Sequence, residues 1–140
     1  MSLRKALRHT VGMNRAEAQQ FVDSWMQGWN AHDLEQVISH FADDVVFTSP
    51  VAVQLLDDSD GVIRGKAALR DYWSEGLRRI PDLRFDVLGV YVGLSTLVIN
   101  YRNQKGALVN EVLTFDGHLV TQGHGTYLSN DSNPAGATSR

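Results

Sequence analysis

Trp25 to Pro50 reads WMQGWNAHDLEQVISHFADDVVFTSP; within it one helical repeat ends, a second short one follows and a strand-type run begins. Upstream, Asn14 and Glu17 have the spacing of an N-terminal capping box, and Phe21, Val22, Trp25, Met26 and Trp29 recur at helical intervals. That pattern predicts an amphipathic helix to about Ala31. Asp33 is placed to cap a second helix with Leu34, Val37, Ile38 and Phe41 as its apolar face. The acidic pair Asp43-Asp44 ends it before a strand from Val45 to Ser49, and Pro50 stops the strand. This order of elements suggests a fold built to enclose a pocket.

Further along, the polar loop LLDDSDG (Leu55 to Gly61) leads to a third helix from about Lys66. It carries Leu69, Tyr72, Trp73, Leu77 and Ile80 on one side and stops at Pro81. The remainder is strand-like: Leu83 to Tyr91, Leu94 to Arg102, Ala107 to Asp116 and Leu119 to Leu128. The turns between them hold Gly93, Asn103 to Gly106, and Asp116-Gly117, and such short connections imply antiparallel pairing. Helices followed by an antiparallel meander form an α+β arrangement in which one face of the sheet is buried against the helices.

A chain of 140 residues holds one core, so 14–128 is expected to be a single domain. Residues 1–13 read as a poorly ordered leader, and the polar 129–140 as a disordered tail. Hydrophobic content of 43%, charge of 21% and a net of −3 offer no basic footprint for nucleic acid. No apolar run reaches the ~20 residues of a membrane span. Met1 to Thr10 carries Arg and Lys with no apolar stretch behind it, so no export signal is read and the cytoplasm is the expected location. With no cysteine, disulfides, thiolate chemistry and Cys-based zinc sites are excluded. His9, His40 and His118 have no companions at metal-ligand spacing, so no metal site is expected.

Together with RGKAALRDYW (Arg64 to Trp73) and EVLTFDGHLV (Glu111 to Val120), the opening stretch resembles the cone-shaped α+β superfamily named after nuclear transport factor 2. That superfamily includes ketosteroid isomerase, scytalone dehydratase, limonene epoxide hydrolase and the SnoaL-like polyketide cyclases, alongside members of no known activity. The resemblance spans Asn14 to Leu128. It implies a curved antiparallel sheet wrapped around a long N-terminal helix, with two further helices and a cavity at the open end of the cone. It also implies a homodimer through the outer sheet face and no cofactor.

Strand alternation selects Glu111 as the first candidate for chemistry. It shares a face with Val109, Leu113 and Phe115, while Asn110, Val112, Thr114 and Asp116 lie on the other. A carboxylate among such neighbours is either poorly solvated or held by a partner. A bulge or a sheet end would instead turn it to water. The segment E-V-L-T-F-D-G resembles the D-H-F-R-F-N-G type segment of ketosteroid isomerases, whose leading acid donates a hydrogen bond to the substrate oxyanion; the matching position is Glu111. The rest of that machinery is missing. Where the isomerase carries its basic Asp before Pro, A-D-D-V-V-F-T-S-P places Ser49, which at neutral pH cannot abstract a proton as a carboxylate does. The position of its oxyanion Tyr is Trp25, which offers only an indole N–H.

His124 is the second candidate. Val120, Gln122, His124 and Thr126 share one face of the last strand, and the superfamily's usual register turns that set inward. The flanking Gly123 and Gly125 mark either a bulge or a close approach of another backbone or a ligand. Facing inward, His124 and Glu111 would form an acid and base of separable pKa; facing outward, His124 would be a rim or interface residue. His32-Asp33, by contrast, reads as a helix-capping turn. Asn100 and Arg102 read as outward-facing, Arg84 and Asp86 as solvated.

Trp25, Trp29, Tyr72 and Trp73 are core residues by size, and in a cone the core wall and the pocket wall are one surface. With Phe47, Ser49 and Gln122 they would bind a small, flat, mostly apolar molecule bearing one or two oxygens. Two functions follow. One is a cofactor-independent isomerase, cyclase or dehydratase working by proton transfer through Glu111 and His124. The other is a non-catalytic ligand-binding or protein-association module of the same fold.

Overall fold

The computed structural model describes residues 13–130. Apart from Met13, Ser129 and Asn130, the expected leader and tail lie outside the described residues. Helix α1 (Arg15–Asn30) starts at Asn14, where both bonds of the capping box form, Glu17 N to Asn14 Oδ1 at 2.9 Å and Asn14 N to Glu17 Oε1 at 3.0 Å. Its buried stripe is Ala18, Phe21, Val22, Trp25 and Trp29. His32 then turns the chain with φ of 57°, and its Nε2 donates to the Leu83 carbonyl at 3.0 Å. Asp33 caps α2 (Leu34–Ile38) by accepting from Gln36 N. The two helices come close because residue 28 is glycine: a Cβ there would lie 2.8 Å from Val37 Cγ2.

The second helix ends at Ile38, before the expected Phe41, and strand β1 (Phe41–Thr48) begins there. Asp43 and Asp44 therefore sit exposed inside a strand, where the pairing with the last strand shifts register between Phe41 and Val46. Pro50 both ends β1 and opens a helix the sequence reading lacked, α3 (Pro50–Leu55). Proline suits a first helical position because its missing N–H would be unpaired there anyway. Ser49 caps α3, its hydroxyl accepting from Val51 N at 3.2 Å. A short β2 (Val62–Arg64) returns antiparallel to β1, and α4 (Lys66–Arg79) buries Leu69, Tyr72 and Trp73.

The meander consists of β3 (Asp86–Val92), β4 (Thr96–Arg102), β5 (Leu108–Asp116) and β6 (Leu119–Tyr127). β3 starts three residues later than expected. The Asn30 side chain takes both backbone groups of Phe85, donating to its carbonyl at 2.9 Å and accepting from its N–H at 2.7 Å, so Phe85 is tied to α1 rather than to a strand. The sheet has six strands in the order β2-β1-β6-β5-β4-β3. All neighbours are antiparallel except β1 and β6, which run parallel. Register shifts in three of the pairs bend the sheet, because a bulge adds local twist. The result is an α+β cone whose concave face closes over α1. No helix among the described residues is long and apolar enough to cross a membrane.

Aromatic rings tie α1 and α4 to the sheet. Trp73 meets Trp29, Phe41 and Phe47 edge-on at centroid distances of 5.0, 5.0 and 5.3 Å. Trp25, 1% exposed, stacks on Phe85 at 5.5 Å and meets Tyr101 at 5.3 Å. Full burial of a large apolar side chain is worth about 1.5–3 kcal/mol, so this cluster is both a main part of the core and the wall of the space described next.

Candidate functional site

Pairings at one end of the sheet locate the mouth of the cone. Thr48 lies opposite Val62, Arg102 opposite Leu108 and Asp86, and Val109 opposite Tyr127. β1, β4 and β6 therefore finish where β2, β3 and β5 begin, and α3 and the end of α4 lie over that end. A cavity of about 280 Å³ opens there. Trp25, Trp29, Phe47 and Trp73 form its aromatic wall, Ser49 and Tyr72 its polar flank, and Glu111 its acidic point.

Glu111 is 6% exposed and shares the inward face of β5 with Val109, Leu113 and Phe115. Its Oε1 accepts a 3.0 Å hydrogen bond from the Tyr101 hydroxyl. Burial lifts the carboxyl to about 7, and the Tyr101 bond opposes the lift. Desolvation prevails because one neutral donor replaces only part of the hydration an ionised carboxylate loses. Glu111 thus exchanges its proton near neutral pH. The tyrosines around it respond in turn. Tyr101 is raised well above its ordinary value by burial and then by the Glu111 charge. Tyr127 is raised by the same two causes. Tyr72 is pushed up to about 12 by burial, against a hydrogen bond with Ser49. All three stay neutral hydroxyls at pH 7, each with a proton to donate, and Tyr101 donates its own to Glu111.

Gly125 keeps this corner open. A Cβ at that position would stand 3.5 Å from Ser49 Oγ and 3.9 Å from Glu111 Oε1, filling the space between the hydroxyl and the acid.

His124 is not in the cavity, which corrects the expected dyad. β6 slips against β5 so that Phe115 faces Val120 but Thr114 faces Gln122, leaving Thr121 as the extra residue. Ahead of the bulge Val120 points inward and is fully buried. After it the phase reverses: Gly123 and Gly125 lie beside Leu113 and Glu111 on the inner face, and Gln122, His124 and Thr126 take the outer one. The His124 ring lies instead at 2.7 Å from Thr48 Oγ1 through Nδ1, on the far side of the sheet. Gln122, expected to bind substrate, is exposed there and does not line the cavity. The same phase change brings Tyr127 inward. Tyr101 was legible as an inward position on β4 but carried no signal of its bond to Glu111, which runs diagonally between strands, since Glu111 lies opposite Ile99.

The other polar candidates are structural. Asp33 is a cap, Asn100 bonds Asn110 on the outer face at 2.8 Å, and Arg84 sits exposed by Asp86. Among the described residues no three His, Asp or Glu side chains gather as metal ligands would.

The model of the SnoaL-like domain family matches residues 22–125. A SnoaL-like protein of unknown function from Burkholderia thailandensis E264 is 39% identical; the match covers 84% of this chain and 99% of that one, with a TM-score of 0.78. A putative polyketide cyclase from Sinorhizobium meliloti shares the fold at 11% identity and a TM-score of 0.65, over 81% of this chain and all of that one (100%). TerC, crystallised with polyporic acid, does so at 12% identity and 0.66, over 79% and 91%. No curated protein matches the chain.

Proposed function

The chain belongs to the SnoaL-like domain family, and on that premise we propose that its cavity receives a flat, mostly apolar molecule carrying a carbonyl or hydroxyl, on which Glu111 moves a proton without a cofactor. The observation that carries this reading is a buried carboxyl poised at about 7 in an aromatic-walled cavity. A catalytic acid or base is most effective with a pKa near the working pH. Tyr101 holds Oε1, leaving Oε2 for the ligand. In the ionised state Oε2 takes a proton from a carbon next to the carbonyl. The resulting enolate oxygen is met by a neutral hydroxyl, that of Tyr127 or of Tyr72 beside Ser49, and the protonated acid then returns the proton to the same or a neighbouring carbon. One carboxyl is sufficient for such a transfer, which suits an isomerase or cyclase better than a mechanism built on a histidine. The fold neighbours include a putative polyketide cyclase, in keeping with an enolisable substrate. Exposed Leu88 and Tyr91 on the outer sheet region favour association of two copies, and sedimentation of wild type against Tyr91→Glu reads that association.

The test is hydrogen–deuterium exchange at the carbon next to the carbonyl of 2-tetralone in D2O, followed by NMR. Wild type is expected to accelerate exchange, increasingly so as pH rises through about 7, and Glu111→Gln to abolish the effect. Saturable tetralone binding with no Glu111-dependent exchange would sink the catalytic reading and leave a ligand-binding member of the family.

A further inference from the structure

The cavity has a second polar end that the proton-transfer chemistry does not use. At its mouth, Gln54 at the end of α3 and Gln104 in the turn between β4 and β5 both line the space. Gln54 Nε2 and Gln104 Oε1 are each buried and lack a hydrogen-bond partner among the described residues. A buried donor and a buried acceptor left unpaired are costly in a folded protein, and such groups call for a partner of the opposite kind. Here both orphaned atoms belong to residues that line one cavity, and between them they offer a donor and an acceptor. Every other polar group argued above for the site is already engaged or belongs to the Glu111 end: Ser49 with Val51 N and Tyr72, Tyr101 with Glu111.

We infer that Gln54 and Gln104 form a second recognition point at the mouth, taking a neutral group that both accepts and donates a hydrogen bond, a hydroxyl or a carboxamide, so that the ligand is elongated and polar at both ends. The inference rests on the reading that the cavity holds a small molecule. A carboxylate fits less well. Gln104 presents an acceptor, which a carboxylate cannot satisfy; of the two cations that also line the cavity, Arg79 is already paired with Glu75 and Lys105 has no ion pair among the described residues. The apolar middle of the ligand lies against Trp25, Trp29 and Trp73, its inner oxygen at Glu111 and its outer group between the two amides. A volume of about 280 Å³ accommodates two or three fused or linked six-membered rings.

Matched phenols test this. 2-Naphthol is compared with 2,6-naphthalenediol, and 4-phenylphenol with 4,4′-biphenol, each pair differing by one distal hydroxyl; tryptophan fluorescence and calorimetry give the affinities. In at least one pair the diol is expected to bind about tenfold or more tightly, one good hydrogen-bonded group in a dry site being worth about that factor. Gln54→Leu and Gln104→Leu, close in size to the native residues, are each expected to remove the diol's advantage while leaving the mono-ol's affinity in place. Equal binding of diol and mono-ol in both pairs would overturn the inference and mean that water satisfies the two amides. Glu111→Gln separates the two readings, since it acts on the inner oxygen of mono-ol and diol alike. A diol advantage lost in the Gln variants with no effect of Glu111→Gln would leave the mouth standing and remove the Glu111 end. Binding by none of the four phenols would remove both.

Discussion

The Tyr101 hydroxyl donates to Glu111 Oε1 at 3.0 Å across a diagonal of neighbouring strands, in a place where both side chains are buried. The bond stabilises the ionised acid against a desolvation that disfavours it. Removing the donor leaves only the opposing effect. Tyr101→Phe should therefore raise the Glu111 carboxyl above about 7, and side-chain carboxyl NMR, assigned with Glu111→Gln, would read it. A pKa that stays put or falls in the variant would mean that the bond does not act on Glu111 in solution.

The same carboxyl makes stability depend on pH. Its ordinary value is 4.5 and its folded value about 7, so the native state holds the proton more tightly than the unfolded chain. Stability is then greatest below about 4.5 and falls as pH rises toward 7, levelling off above. At 1.36 kcal/mol per unit the difference is about 3 kcal/mol. Other groups titrate in that range, among them His40, whose pKa burial lowers. The quantity to measure is therefore wild type minus Glu111→Gln in urea unfolding at pH 5 and pH 8. The difference should shift by a few kcal/mol in favour of the variant at the higher pH. Parallel curves would show that the folded carboxyl meets water.

Much of this site was legible because two periodicities carry it. Helical spacing selected Trp25, Trp29, Tyr72 and Trp73, and strand alternation set Glu111 among Val109, Leu113 and Phe115; in the structure all these side chains are buried on the inner side. What the sequence did not carry is phase across an irregularity. One extra residue, Thr121, exchanges the two faces of β6 after it, and no local propensity marks where it falls. Gly123 and Gly125 hinted at it, as residues that let another group come close, without fixing the direction. The parallel pairing of β1 with β6 was hidden for a related reason: hydrogen bonds between distant segments leave no local pattern. The sequence reading gave no role to Gln54 or Gln104. Their interest lies in being buried without partners, a property of the folded chain alone.

Gly123 and Gly125 separate packing from function. A Cβ at 123 would lie 2.7 Å from Phe47 Cδ2 and 3.1 Å from Leu113 Cδ2, and Phe47 is itself held edge-on by Trp73. Gly123→Ala should destabilise the fold by about 1–3 kcal/mol, as overpacking of a filled core does. Gly125→Ala meets its neighbours at ordinary contact distance, so it should cost less stability and weaken tetralone binding instead. Chemical denaturation and a binding titration of both variants check the pair. Equal stability losses would mean that Phe47 yields or that the β6 register differs.

The outward turn of His124 gives the sharpest contrast with the expected dyad. If proton transfer runs through Glu111 alone, an imidazole on the opposite side of the sheet and bonded to Thr48 has no part in it. His124→Asn should leave tetralone exchange and its rise through about pH 7 as in wild type. Any loss should fall on stability, roughly 0.5–1.5 kcal/mol for one hydrogen bond. Glu111→Gln should do the reverse: exchange lost at pH 8, and stability little changed at pH 5, where the wild-type carboxyl is already protonated. A His124→Asn variant with normal stability but a displaced pH profile would return the histidine to the chemistry and require β6 to pair one residue out of the register described above.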